Sequence, residues 1–515
     1  MTAESVLKAD GLKSRIGDAI NPIVVKELRQ AVQSRFVTAT LMILLCIQLS
    51  ALGLYLLFSG DTTTSFVAGR QIFTILLGIV FGAGMLFVPL YTAIRLVAER
   101  SDTQVDLLFI STIKPRRIIT GKLAAAAAVN LLIFSACLPF MTLTYFLRGI
   151  DLPSIFILMA LCFLVIIACA QLAIFVACMP INRIFKTVLG LICLIIFFVI
   201  YVGLMSGVGS MLVFGLGSRF DSWEFWEVAL TLLLIIGAFC GLLFALSVAM
   251  IAPHAANRAL PVRLYVTAVW LLSGIAASVW SEWMDHHQPV DIWMVLNSIV
   301  FIAALLVAVS ERDLLGRRVK RAIPASMWKR FFAFFFFSGS ANGLAWASLM
   351  MGLTMTWVGA LRVIQGWMIG VDSLGDNATW FSGIALYFFC YAMSGALLRR
   401  HVFSAIGTDL TWLLGAILMA IGGIVPFLIG VMLFLDSHWW NQDYGYWLVG
   451  NPFAWENKAF RPLYAAVGIG WAVILVTFSR RWFAERVRDF RPLNRSGQDW
   501  DTDTNHAETK VTKKD

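Results

Sequence analysis

Residues 72–94 read IFTILLGIVFGAGMLFVPLYTAI, an uncharged run of 23 residues with polar sequence on both sides. A helix needs about 20 consecutive apolar residues to cross the hydrocarbon core of a bilayer. Similar runs recur along almost the whole chain of 515 residues, which is 60% hydrophobic, 14% charged and has a mean hydropathy of +0.82. The sequence therefore predicts a multi-pass membrane protein.

The apolar runs predict twelve transmembrane helices. Transmembrane β-barrels show alternating strands of about ten residues in place of unbroken runs, so the predicted fold class is all-α, a polytopic membrane helix bundle. A cleaved signal peptide is not expected, because no small-residue cleavage site follows a short hydrophobic core. The predicted spans are residues 37–59, 72–94, 123–146, 153–178, 187–206, 228–252, 264–280, 292–310, 343–361, 380–398, 413–435 and 463–479.

Lys and Arg are distributed unevenly between alternate loops. Short loops rich in these residues stay in the cytoplasm. With both termini inside, 34 of the 40 Lys and Arg lie in cytoplasmic segments, which leaves net charges of +17 on the inner face and −7 on the outer face. The sequence predicts a plasma (inner) membrane protein with both termini cytoplasmic. No nucleic acid is expected as a partner, because no soluble domain is long enough to carry a basic binding surface.

None of the twelve predicted spans contains Asp, Glu, Lys, Arg or His. Ionisable groups inside the membrane usually mark proton relays and ion-coupled transport. The chain is therefore expected either to move something without protons or to take its energy from elsewhere. The strongest polar side chains in the spans are predicted to form hydrogen bonds between helices; they are Gln48, Asn130, Gln171 and Asn297.

Motifs for several kinds of chemistry are missing. Neither His-Glu-x-x-His nor Gly-x-x-x-x-Gly-Lys-Ser/Thr occurs, so the chain is predicted to be no enzyme, with no catalytic residue and no cofactor of its own. All eight cysteines lie in predicted spans without Cys-x-x-Cys spacing, which argues against disulfides and thiolate metal sites. One outer loop has metal-ligand residue types, but adjacent histidines point apart, so a solvated loop without metal is predicted; the residues are Glu282, Asp285, His286 and His287.

Residues 95–122 form the first long polar interruption of the bundle. Their charged and apolar side chains are grouped, and Pro115 ends the pattern. This arrangement predicts a short helix across the inner mouth whose ends are tied to two spans, so that force on it would tilt both. The apolar residues are Leu107, Leu108, Ile110 and Ile113, and the charged residues are Glu99, Arg100, Asp102 and Asp106.

A second amphipathic stretch precedes the first span. Asn21 can cap a helix whose first residue is Pro22. The helical spacing of its residues predicts a helix that lies in the inner membrane interface. Its apolar side is predicted to consist of Val24, Val25, Leu28, Val32 and Phe36, and its polar side of Lys26, Arg29 and Gln33.

Together these two stretches resemble ABC-2 type permeases, the membrane-spanning subunits of ABC exporters. The family's N-terminal pattern is matched by Asn21-Pro22 and by Lys26-Glu27-Leu28-Arg29. Thr103-Gln104 departs from the Gly-Thr pair of many members. The family's inner loop is matched over 24 residues by Glu99-Arg100, Asp106-Leu107-Leu108, Ser111-Thr112, Pro115, Ile118 and Gly121-Lys122.

The resemblance implies a permease, as a homodimer or heterodimer, that docks on a cytoplasmic ABC ATPase, and ATP and Mg²⁺ belong to that partner. Charged residues of the loop would fix the docking orientation, Leu107 and Leu108 would supply contact area, and Pro115 and Gly121 would form the turn into the third span. The implied ATPase-coupling residues are Glu99, Arg100, Asp106, Leu107, Leu108, Thr112, Pro115, Arg116, Arg117, Gly121 and Lys122. The implied interfacial helix contains Asn21, Pro22, Lys26, Glu27, Leu28 and Arg29.

The chain is predicted to have four parts: a cytoplasmic N-terminal segment (1–36), a six-helix ABC-2-like permease domain (37–252), a second six-helix membrane region (253–480) and a disordered cytoplasmic tail (481–515). The second region does not repeat the motifs of the first. Its longest inner loop, residues 311–330, carries seven Lys and Arg before an apolar run. Anchoring to anionic lipid is the favoured interpretation, and a degenerate second docking surface is the alternative.

The predicted function is export of an unidentified substrate, driven by an ATPase docked between helices 2 and 3. One alternative is an ion-coupled secondary transporter, because backbone carbonyls can bind sodium without charged side chains. Another alternative is a non-transporting membrane anchor that transmits ATPase motion to a larger assembly. In every case the lipid bilayer is a partner.

Overall fold

The computed structural model describes residues 22–58, 66–101, 115–147, 149–213, 222–253, 256–284, 288–311, 313, 315–365, 372–403, 407–433, 445–446, 448–456 and 458–492. These ranges contain α-helices and short 3₁₀ turns and no strand, which confirms the predicted all-α fold. In chain order the helices are α1 Pro22–Val32, α2 Arg35–Phe58, α3 Phe66–Ser101, α4 Pro115–Phe146, α5 Leu152–Cys178, α6 Arg183–Val213, α7 Trp223–Ile251, α8 Ala259–Met284, α9 Gln288–Ala308, α10 Arg317–Arg321, α11 Met327–Phe336, α12 Ser340–Gln365, α13 Asp372–His401, α14 Thr411–Leu433 and α15 Arg461–Asp489.

Twelve of the described helices are long and apolar enough to cross a membrane, namely α2 to α9 and α12 to α15. Each overlaps one predicted span, and all twelve begin before it. Helix α3, for example, covers Phe66–Ser101 where the apolar run covers only 72–94. Hydropathy marks the part of a helix that fits the hydrocarbon, whereas backbone hydrogen bonding continues into the polar sequence on both sides.

The chain divides into two compact units, residues 1–253 and 254–515. In the first unit α3 is the most buried span, and it packs against α4, α5 and α6. Gly78 and Gly82 let the ring of Tyr201 on α6 approach closely, because an added Cβ would lie 3.3 Å and 3.2 Å from that side chain. Small residues commonly allow such close packing between membrane helices.

Three of the four polar residues in the spans bond between helices as predicted. Gln48 donates to the carbonyl of Leu76, and Asn130 Nδ2 donates to the carbonyl of Phe163 at 3.1 Å. Gln171 Nε2 donates to Ser247 Oγ at 3.4 Å. The prediction is wrong for Asn297, which bonds to Trp293 one turn earlier on its own helix. A short amide side chain on a helix can reach the carbonyl four residues back without any partner helix.

The second unit uses tryptophan and hydroxyl pairs to join α8, α9 and α12. The indole of Trp270 donates to Thr354 at 2.9 Å, and that of Trp293 donates to Ser273 at 3.0 Å. Trp357 donates to Ser278 at 3.0 Å. Each pair satisfies a polar atom inside an apolar environment, where an unpaired donor would be costly.

Tyrosines of α13 bind a segment of loops and short 3₁₀ turns, residues 448–456 and 458–460, next to α14 and α15. The hydroxyl of Tyr387 donates to the carbonyl of Val449 at 2.6 Å, and that of Tyr391 donates to Gly450 at 2.6 Å. Trp455 of this segment is buried. A buried carbonyl outside regular secondary structure needs a hydrogen-bond donor, and the two tyrosine hydroxyls are the donors for Val449 and Gly450.

Candidate functional site

Helix α1 packs through the side that the apolar pattern does not mark. Among the α1 side chains that the structure describes, those of Glu27 and Ala31, one turn apart, are buried, whereas Val25 and Leu28 are exposed. The prediction of a helix at this place is confirmed, since α1 begins at Pro22. In a membrane interface an apolar side chain can face lipid, so the carboxylate rather than the apolar side is directed into the protein.

Lys122 near the start of α4 receives that carboxylate. Its Nζ lies 2.9 Å from Glu27 Oε1 and 2.7 Å from Glu99 Oε2, and the lysine side chain is only 4% exposed. Glu99 lies near the end of α3. The buried ammonium of Lys122 thus connects α1, α3 and α4, and Lys122 and Glu27 are 95 residues apart in the sequence.

Arg95 on α3 completes the group. Its Nη2 lies 3.8 Å from Glu27 Oε2 and also bonds to Gln30 Oε1 of α1. Its Nη1 donates to the hydroxyl of Tyr91 at 2.8 Å. Glu27, Arg95, Glu99 and Lys122, called the charge cluster below, carry two positive and two negative charges, so that the formal charges cancel.

Three members of the charge cluster, Glu27, Arg95 and Lys122, line a small cavity near the end of α3 and the start of α4. Ala31, Thr92 and Ala125 complete the cavity wall with Tyr91. Small side chains at these positions leave room for the long side chains of Arg95 and Lys122. The arrangement holds α1 against the two helices that flank residues 102–114.

Burial and ion pairing have opposite effects on the pKa of Glu27. Burial raises this pKa, but the charge and hydrogen bond of Lys122, together with the charge of Arg95, outweigh burial and hold it below the ordinary value of 4.5. Glu27 is therefore charged at neutral pH. An ionised, paired Glu27 stabilises the folded state relative to a chain in which the same carboxyl is in water.

Acid is expected to weaken the charge cluster. Because the folded pKa of Glu27 lies below 4.5, its stabilising contribution is present above that pH and is lost as the pH falls through the lowered pKa. The difference in unfolding temperature between the wild type and Glu27→Gln should be constant from pH ~7 to ~5 and should shrink below it. Differential scanning fluorimetry of the purified protein measures this.

The control for this measurement is Glu485→Gln, which neutralises an exposed acid on α15. We expect the control to keep the pH profile of the wild type. A Glu27→Gln difference that persists unchanged at pH ~3.5 would contradict the assignment of the paired carboxylate.

The structure locates part of the predicted coupling segment. Glu99 and Arg100 belong to the end of α3, while Asp106, Leu107, Leu108 and Thr112 lie outside the described residues, as does Asn21. The expected turn at Pro115 and Gly121 is wrong: Pro115 is the first residue of α4 and Gly121 is buried within that helix. Proline is favourable in the first turn of a helix, where its missing amide has no partner to lose.

The remaining predicted residues are distributed between the cluster and the surface. Lys122 and Glu27 meet at the charge cluster, and Arg116 and Arg117 are exposed in the first turn of α4. Lys26, Leu28 and Arg29 are exposed on α1. Sequence reasoning missed Arg95 as a cluster member. It is the first charge after the run 72–94, which is the signal that could have identified it.

The charge cluster has no metal-site character. Among the described residues, no group of three or more His, Cys, Asp or Glu side chains is arranged to hold a metal ion. Comparison with protein-family models, curated proteins and solved structures finds no match. The functional interpretation therefore depends on the residues and their geometry.

Proposed function

We propose that this chain is the membrane-spanning permease subunit of an ABC-2 type exporter, which moves a substrate across the membrane with energy from a separate ATPase. The main observation in support is that Lys122, which is buried, forms ion pairs with both Glu27 and Glu99. Glu27 belongs to the N-terminal pattern of the resemblance described above, and Glu99 and Lys122 belong to the two ends of its inner-loop pattern. Their convergence supports a common role for the motifs, which are distant in sequence.

In this proposal the ATPase docks on residues 102–114 and on the adjoining ends of α3 and α4. The charge cluster binds α1 to these two ends, so a displacement of the docked segment would move all three helices together. Buried charge pairs resist separation, because pulling one partner away leaves the other unpaired in a poorly solvated place. The charge cluster would therefore transmit force from the docked segment to α1, α3 and α4 while its ion pairs stay intact.

The partner would provide nucleotide and Mg²⁺, and the permease would act as a homodimer or heterodimer in the plasma membrane with both termini cytoplasmic. The absence of Gly-x-x-x-x-Gly-Lys-Ser/Thr from the sequence supports this division of labour. The distribution of Lys and Arg supports the orientation, since it places the charge cluster on the cytoplasmic side.

Charge reversal at the docking surface is expected to release the ATPase. Arg116→Glu with Arg117→Glu places two negative charges at the exposed start of α4. Affinity purification from native membranes should recover a protein with a nucleotide-binding motif on the wild type and at least ~10-fold less on the variant, since ~1.4 kcal/mol is tenfold in affinity and charge reversal at an interface costs at least that much. Mass spectrometry of the purified complex measures the ratio.

The matched control is Arg480→Glu with Arg481→Glu, two exposed arginines on α15. The control should retain the ATPase. Equal recovery of the ATPase on the Arg116 and Arg117 variant would contradict docking at this surface. Labelling of residues 95–122 by an impermeant reagent in intact cells, or transport driven by an ion gradient without nucleotide, would contradict the proposed function as a whole.

A further inference from the structure

Helices α10 and α11 carry many cations and no acid. From residue 314 to residue 371 the chain contains no Asp or Glu. Among the cations, Arg317, Arg318, Arg321 and Lys329 are exposed, and Arg330 is half-buried. None of these five forms an ion pair with another described residue. This part of the protein therefore presents unneutralised positive charge.

One side of α11 is strongly apolar and uncovered. Met327 is 77% exposed and Trp328 is 78% exposed, and Phe331 and Phe332 are also exposed. The opposite side is packed, since the ring of Phe334 lies 5.5 Å from that of Phe490. An amphipathic helix with Trp and Phe on one side and Lys and Arg beside them is typical of a helix in a membrane interface.

The position of α11 along the membrane normal follows from its connection. Only Phe337, Ser338 and Gly339 separate it from α12, which is one of the twelve long apolar helices. Three residues extend over at most ~10 Å. The end of α11 therefore lies at the level where a membrane span begins, which is the level of lipid headgroups.

Side chains of neighbouring elements form hydrogen bonds to the backbone of the connection between α11 and α12. Arg263 Nη1 donates to the carbonyls of Phe335 and Phe337 at 3.1 and 2.6 Å. Glu311 Oε2 accepts from the amide of Gly339 at 2.7 Å, and Asp313 Oδ1 accepts from the amide of Ser340 at 2.9 Å. The backbone groups at the end of one helix and the start of the next thus find partners within the protein.

The nearby acids, Glu311 and Asp313, do not neutralise the cations of α10 and α11, because both pair with other arginines. Arg263 Nη2 donates to both carboxylate oxygens of Glu311, at 2.5 Å to Oε1 and 2.7 Å to Oε2. Asp313 lies 3.5 Å from Arg486 and 4.0 Å from Arg400. Both carboxylates are therefore paired with other cations, and the positive charge of α10 and α11 is left for a ligand outside the chain.

Helices α10 and α11 belong to one packed body. Val319 of α10 and Ile323 after it are buried in the same apolar cluster as Phe334, Phe337 and Phe490. We propose that the exposed cations and apolar side chains of α10 and α11, called the basic aromatic surface below, bind anionic phospholipid headgroups of the adjoining leaflet. The cations would pair with the phosphate groups, and Trp328 and Phe331 would insert between the lipids.

The proposal is tested on the purified full-length chain in neutral detergent micelles, without the ATPase. Short-chain phosphatidylglycerol is titrated, and its half-saturating concentration is read from the rise in unfolding temperature. Short-chain phosphatidylcholine is the lipid control. We expect stabilisation by the anionic lipid and little by the zwitterionic one. Equal stabilisation by both lipids would overturn the proposal.

Three variants identify the surface. Arg317→Gln with Arg318→Gln, and separately Lys329→Gln with Arg330→Gln, should each raise the half-saturating concentration ~25-fold, because each of the two cations removed contributes ~5-fold in affinity near a lipid surface. Arg317→Lys with Arg318→Lys keeps the charge and should keep wild-type affinity. Unchanged binding by both glutamine variants would overturn the proposal.

Arg488→Gln with Arg491→Gln removes the same charge from exposed positions at and just after the end of α15, beyond its apolar run, and is the matched control. It should leave the half-saturating concentration within about twofold of the wild type. An equal loss in this control would show that any cation suffices and would overturn a dedicated surface. Loss of ATPase copurification with unchanged lipid binding in the Lys329 and Arg330 variant would assign the surface to a protein partner and would likewise overturn it.

Discussion

Replacing Lys122 with methionine is expected to destabilise the protein by about 3 kcal/mol, because it leaves the buried carboxylate of Glu27 without its main partner. Lys122 is 4% exposed and lies within 3 Å of both Glu27 and Glu99. Methionine preserves most of the side-chain volume, so the loss reports the charge rather than a cavity. Unfolding in a denaturing detergent titration measures the free energy.

A local measurement accompanies the global one. If the charge cluster holds α1, then Lys122→Met should increase trypsin cleavage after Arg29, which is exposed on that helix, by ~10-fold or more through local opening. Cleavage after Arg480 on α15 should stay constant and serves as the internal reference.

Two further variants separate pairing from other effects of Lys122→Met. Lys26→Met makes the same substitution on the exposed side of α1 and should change the unfolding free energy by less than ~0.5 kcal/mol. Glu27→Gln combined with Lys122→Met should recover part of the loss, because no unpaired carboxylate then remains at position 27. A Lys122→Met protein that is as stable as the wild type would contradict the assigned role of the charge cluster.

Replacing Arg263 with methionine is expected to cost about 4 kcal/mol. Arg263 is 3% exposed, and it holds both oxygens of Glu311 and two carbonyls at the end of α11. Its removal leaves a carboxylate and two carbonyls without these partners. The unfolding free energy of the purified protein measures the loss, and trypsin cleavage after Lys329 should become faster as α11 loosens.

Arg263→Lys tests whether geometry as well as charge is needed. A lysine supplies one compact ammonium and cannot bridge a carboxylate and two carbonyls in the manner of a planar guanidinium, so it should recover less than half of the loss. Arg321→Met, at an exposed position of α10, is the control and should be nearly neutral. An Arg263→Met protein as stable as the wild type, with cleavage after Lys329 no faster, would contradict the role of Arg263 in stabilising the connection between α11 and α12.

The predictions for Lys122 and for Arg263 both concern charged residues that lie just beyond the apolar runs. Hydropathy places Arg95, Lys122 and Arg263 outside the predicted spans, whereas the structure places each of them within a long helix. Helices in this protein continue past the hydrocarbon level, and their ends carry the ionic contacts. The sequence alone therefore predicts the apolar parts well and says little about these ends.

The apolar runs by themselves determined that the protein is an all-α bundle with twelve long apolar helices, because a chain in lipid must satisfy its backbone hydrogen bonds within each segment. The amphipathic pattern before the first span likewise located α1. Tertiary structure alone decided which side of each helix is buried. Apolar side chains gain from contact with lipid as well as with protein, so the apolar pattern does not distinguish the two. The burial of Glu27 against Lys122, and of Arg263 against Glu311, depends on helices distant in sequence and follows only from their packing.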